Sequence, residues 1–167
     1  MASSIKRQVF FSFEYDADAW RANQVRKMGF IDQSSTFTDN DWEKVKGSEL
    51  AIKRWINSQL KMRSCLIVLI GETTFMRPWV DYEIQKAYEL GKGIVGVYIH
   101  KLKDSDGYQS EKGLNPLDYN YTDDGEPLSK YVVAFNSLYS KSVNVYKDIY
   151  ENLPDLIENA IEDAGTY

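Results

Sequence analysis

The thirteen residues GETTFMRPWVDYE, Gly71 to Glu83, bring together a glycine, two threonines, an arginine, a tryptophan and three carboxylates, Glu83 the last of them. Pro78 is suited to open a helix here, since its missing N–H costs nothing in a first turn. Glu83 then falls in the first turns of that helix, where the dipole favours an ionised carboxylate. Trp79 lies one turn earlier on the same face, so indole and carboxylate can meet one bound ligand. On position alone a plainer reading stands beside this one: Glu83 as a solvated helix residue and Trp79 as a core anchor. A second loop, Glu14–Asp18, follows the aromatic strand VFFSF and also carries carboxylates.

Other chemistry finds little material. His100 is the single histidine and Cys65 the single cysteine, the latter inside an apolar run, so a zinc site or a Cys/His nucleophile pair has almost no material. GKGIVG at 91–96 spells G-x-G-x-x-G, but it follows a helix and enters a strand, whereas the dinucleotide fingerprint follows a strand and opens a helix. Those glycines read as a helix stop and a close-packed strand residue. No P-loop is present. The run ending Leu-Ile-Gly-Glu lacks the terminal Asp of a phosphoacceptor domain.

The elements that must carry these loops can be read from periodicity. Residues 7–13 form a strand. Asp16 or Asp18 then caps a helix through Met28, stopped by Gly29. A weakly patterned segment, 30–47, holds a short strand near Thr36–Phe37. Ser48 caps the next helix, whose stripe is Ala51, Ile52, Trp55, Ile56, Gln59 and Leu60. SCLIVLI at 64–70 is apolar throughout, which is how a strand buried on both faces of a parallel sheet reads. A helix from Pro78 to Leu90, a strand at 94–99, a strand at 131–135 and a helix at 143–164, broken or kinked at Pro154, complete the pattern. Alternating strands and helices give an α/β domain with a flavodoxin-like, doubly wound parallel sheet of order 2-1-3-4-5. Residues 1–167 form one domain, with a long loop insertion at 101–128. In such a sheet ligands bind beyond the carboxyl ends of the strands where the order reverses, which selects the two loops named above.

Composition narrows the function further. The 167 residues carry a net charge of −5 and a sequence pI near 5.0, which argues against nucleic acid as a partner. The longest apolar run, Cys65–Ile70, has six residues, far below the roughly 20 needed to span a bilayer. The first residues show no signal peptide, and one cysteine allows no internal disulfide, so a cytoplasmic protein without a membrane partner is expected. Aromatics reach 14%, which suits planar ligands and interfaces alike.

Three segments in order, VFFSFEYDAD, LIGETTF and RPWVDYEIQKAYELGK, resemble bacterial TIR-like domains, in particular the TIR proteins of the Thoeris anti-phage system. Phe11-Ser12-Phe13 is similar to that family's first box, and Trp79 to Glu83 has its W-x-x-x-E spacing. The resemblance spans about residues 5–150. It implies that Glu83 is the catalytic residue of an NAD-cleaving enzyme, of the glycohydrolase or ADP-ribosyl cyclase type. It further implies that Phe11, Ser12, Phe13, Arg77, Trp79 and Tyr82 line the substrate cleft, and that Asp39 and Trp42 close over it. NAD is then a substrate, with no resident cofactor. The nicotinamide leaves neutral, so one carboxylate suffices where ordinary glycosides need two. A cyclic or modified ADP-ribose would activate a separate effector protein, with a phage-derived trigger protein and a homo-oligomer as further partners. Two other readings stay open: a non-catalytic TIR-like scaffold and an NAD-depleting hydrolase. The family's usual cysteine after the Trp is Val80 here, and the 101–128 insertion has no counterpart in short TIR domains.

Overall fold

The computed structural model describes residues 7–31 and 47–167. The strand expected near Thr36–Phe37, and the two closing residues Asp39 and Trp42, lie outside the described residues.

Four parallel strands make the sheet: β1 (Val9–Ser12), β2 (Cys65–Ile70), β3 (Gly93–Tyr98) and β4 (Ala134–Phe135), hydrogen-bonded in that order. Their register sets Ser12 beside Val68, and Val68 beside Gly96. On the other edge of β1, Arg7 forms a parallel bridge with Ile31. The all-parallel sheet is the α/β architecture expected.

Every residue of β1, β2 and β3 is buried, and successive side chains pass to opposite faces. Val9, Phe11, Ile67, Leu69, Val95 and Val97 join one core, against helices α1 (Tyr15–Arg26) and α4 (Ser142–Asp163). Phe10, Leu66, Val68, Ile70, Ile94 and Tyr98 join the other, against α2 (Glu49–Lys61) and α3 (Pro78–Glu89). The continuous apolar run of β2 is therefore two alternating stripes, one for each layer.

Several helix boundaries follow the local chemistry. Ser48 Oγ accepts the N–H of Ala51 at 3.0 Å and caps α2. Pro78 occupies the first position of α3, and Gly91, at φ 68°, ends it. Gly93 lies so close to α4 that a Cβ would sit 2.8 Å from the backbone nitrogen of Ile161. The GKGIVG run is thus a helix stop and a packing contact.

Three expectations need correction. Neither Asp16 nor Asp18 caps α1; Glu14 holds the cap position, without a side-chain cap bond, and Asp18 is buried one turn in, paired with Arg21. The strand expected over 131–135 shrinks to Ala134–Phe135, because the N–H groups of Tyr131 and Val132 both turn back to the carbonyl of Leu128. Of the break or kink expected at Pro154 the break is absent, because α4 is one helix from Ser142 to Asp163. The lost bond and ring clash cost on the order of 3 kcal/mol, but Val145, Ile149, Leu153 and Ile157 hold both halves to one core. Among the described residues no helix is long and apolar enough to cross a membrane.

Candidate functional site

Strand β1 ends at Ser12, whose side chain points to the α2/α3 side, and α3 brings Glu83 to meet it. Ser12 Oγ donates to Glu83 Oε1 at 2.7 Å. Both residues are buried, Ser12 fully and Glu83 to 9% exposure. The other carboxyl oxygen, Oε2, takes no part in that bond.

Burial dominates the electrostatics. Removal from water pushes the Glu83 carboxyl up to about 8, and the bond from Ser12 opposes that only in part. This corrects the expectation that the helix dipole keeps Glu83 ionised. The desolvation of a charge outweighs a dipole effect of about 0.3–1 kcal/mol. Burial thus favours the protonated form of Glu83 in the resting site.

The remaining candidates fall into separate positions. Trp79 is half-buried against the α2/α3 core and meets Tyr82 edge-on, centroids 5.7 Å apart. Tyr82 turns toward α2, where its hydroxyl donates to Asn57 Oδ1 at 2.8 Å and Lys53 lies over its ring. Arg77 is half-exposed and donates to Glu14. Phe11 and Phe13 face the α1/α4 core, on the opposite side of the sheet from Glu83. The alternation of β1 separates them from Ser12, so the first box splits between two layers.

Sequence reasoning missed Glu14. It is 5% exposed, accepts from Thr73 Oγ1 with one oxygen and from Arg77 with the other, and so ties the two switch-point loops together. It also missed Asp18 and Arg21, a buried pair at 2.9 Å, with Arg21 donating to the carbonyls of Leu102 and Tyr108. A charged pair three apart in a helix is an ordinary surface pattern, and nothing in the sequence distinguishes a buried one. Among the described residues no cluster of His, Cys, Asp and Glu could hold a metal ion.

A buried glutamate on the helix after β2, bonded to the serine that ends β1, is the arrangement on which comparison with known proteins bears. The family model described as Thoeris protein ThsB, TIR-like domain, matches residues 10–104. The chain belongs to this Thoeris TIR-like family. The match takes in Ser12 and Glu83 and ends before most of the insertion. A relative from Bacillus cereus (strain MSX-D12), which bears the name "Putative cyclic ADP-D-ribose synthase ThsB1", is 42% identical over 134 residues, covering 75% of this chain and 70% of its own.

Proposed function

We propose that this Thoeris TIR-like protein is an enzyme of anti-phage defence that cleaves the nicotinamide–ribose bond of NAD and releases a cyclic or modified ADP-ribose that activates a separate effector. The name of the Bacillus cereus relative supports the product class. The observation that carries the reading is the buried Glu83–Ser12 pair, with one carboxyl oxygen outside that bond.

The chemistry follows from charge. The nicotinamide ring of NAD is a cation, and a positive charge beside a desolvated carboxyl favours its ionised form. Substrate binding thus shifts Glu83 toward its ionised form, and the proton released passes to water. The carboxylate formed faces C1′ as the C–N bond breaks and positive charge moves onto the ribose. Nicotinamide leaves neutral with both bonding electrons, so no general acid is needed. A fixed carboxylate in a partly dry site is the electrostatic stabiliser this step requires. Capture of C1′ by a nucleophile of the same ADP-ribose gives a cyclic product; capture by water gives the open one. Trp79 walls the cleft beside Glu83, and Arg77 with its free donors meets the pyrophosphate.

The test is extraction of small molecules from bacteria carrying wild type or Glu83→Gln, before and after phage infection, with NAD and ADP-ribose derivatives followed by mass spectrometry. A new ADP-ribose isomer or conjugate that disappears in Glu83→Gln is the expected result. NAD loss with only open ADP-ribose would replace synthase by hydrolase. Protection in both strains with no Glu83-dependent metabolite would leave a scaffold.

A further inference from the structure

The 101–128 insertion is fastened along its length. Arg21 donates to the carbonyls of Leu102 and Tyr108 at 2.8 and 2.9 Å, and Gln24 to that of Lys103 at 2.8 Å. The chain then crosses the loop after β2. The Glu111 N–H donates to Glu72 Oε1 at 3.0 Å, and Gly113 passes so near that a Cβ would lie 2.2 Å from the carbonyl oxygen of Gly71. Beyond that it runs beside α3. Asn120 Nδ2 donates to Asp81 Oδ1 at 3.0 Å, the Tyr121 N–H to Gln85 Oε1 at 3.1 Å, and the Asp123 N–H to the Tyr88 hydroxyl at 3.0 Å.

Asp81, Gln85 and Tyr88 are spaced i, i+4, i+7 and form one stripe on α3. At about 100° per residue, Glu83 lies roughly half a turn round the helix from that stripe. The insertion therefore grips the helix on the side away from the carboxylate, while Tyr82, through Asn57, ties another side to α2. The core contacts of Val80, Ile84 and Ala87 are apolar and non-directional, and allow small rotations. The hydrogen bonds are directional and resist them. A carboxylate about 5 Å from the axis moves about 1 Å when its helix turns by about 10°, and a displacement of that size can cost about 100-fold in rate.

We propose that Asp81, held by Asn120 of the insertion, is a positioning residue that fixes the rotation of α3 and thereby the seating of Glu83 against Ser12. This rests on the reading of Glu83 as the catalytic carboxylate. Asp81 is the member of the stripe two residues from Glu83, and its partner Asn120 is 3% exposed, with a second bond to the Pro116 carbonyl at 2.8 Å. The contact lies outside the residues matched by the family model on one side and inside them on the other. It joins the 101–128 loop to the helix that carries Glu83.

Asp81→Ala and Asp81→Asn remove the same charge, but the Asn side-chain carbonyl still accepts from Asn120. Their difference isolates the hydrogen bond. Wild type, both variants and Glu83→Gln are compared for NAD turnover, and Glu83 is titrated by the ¹³C shift of its carboxyl in the first three. Asp81→Ala is expected to lower kcat about tenfold or more with KM for NAD within about twofold, while Asp81→Asn stays near wild type. The Glu83 midpoint in Asp81→Ala rises above that in Asp81→Asn as the Ser12 bond lengthens. With an active wild type, equal turnover of the two variants overturns the proposal, and equal Glu83 midpoints in the two overturn it in every case. If wild type turns over no NAD, or Glu83→Gln is fully active, the catalytic reading fails. The titration still decides whether Asp81 seats Glu83, since it needs no turnover.

Discussion

Glu83 is a carboxyl that folding disfavours in its charged form, and that has a consequence for stability. Its folded value, about 8, lies above the ordinary 4.5. A group raised in this way contributes stability that is fully present below about pH 4.5 and is lost as pH rises through 8. Glu83→Gln has no proton to lose. The variant should match wild type near pH 4.5 and become the more stable protein between pH 5 and 8, by on the order of 4 kcal/mol at the upper end. Urea unfolding of both proteins across that range measures it, and a pH-independent difference would show that Glu83 is not desolvated. Ser12 supplies the complementary test. Its bond is the one influence that lowers the Glu83 value, so Ser12→Ala should move the carboxyl midpoint further above 8, read by the same ¹³C titration. That Glu83 and Trp79 share one face of a helix was legible in the sequence. The protonation of Glu83 was not, because burial depends on what β1 places opposite.

Elements were legible where one residue type has one physical use. Pro78 at a helix start, Gly91 at a helix stop and Ser48 at a cap each admit few other roles, and each is found in that role. Ser48→Ala should cost about 1 kcal/mol in urea unfolding, since α2 would lose the acceptor for the Ala51 N–H. Asp16 and Asp18 misled because an acidic residue before a helix has several uses. Asp18 serves in the buried pair with Arg21, beneath Gly71, where a Cβ would come within 2.0 Å of its carboxylate. Phe11-Ser12-Phe13 was legible as a strand end. The period of two in that strand is what sends Ser12 to the α3 side and both phenylalanines to the other core. A box of three residues thus does two jobs, one in the site and one in the core.

At the scale of the whole molecule, the sheet holds the two helical layers at fixed distances, and glycines set the closest of them. Gly93 and Gly96 both lie on β3 and differ in what stands over them. Above Gly93 is backbone of α4: Ile161 N at 2.8 Å and the Ala160 carbonyl carbon at 2.9 Å from an added Cβ. Above Gly96 the nearest atoms are the Ile70 Cδ1 at 3.1 Å and the Ala134 Cβ at 3.3 Å. A side-chain methyl can shift by a rotamer change, whereas backbone moves only if the helix moves. Helix α4 cannot move locally, because Val145, Ile149, Leu153 and Ile157 anchor it along its length to one core. Gly93→Ala must therefore displace the helix as a body and open the packing beneath it, at a cost of about 3 kcal/mol or more, while Gly96→Ala should cost about 1 kcal/mol. Urea unfolding gives both values, and an equal cost would mean that α4 yields at its carboxyl end without disturbing the layer. Because Glu83 is carried by α3 on the opposite face of the sheet, its carboxyl titration in Gly93→Ala should stay at the wild-type midpoint, which separates damage to the scaffold from damage to the site.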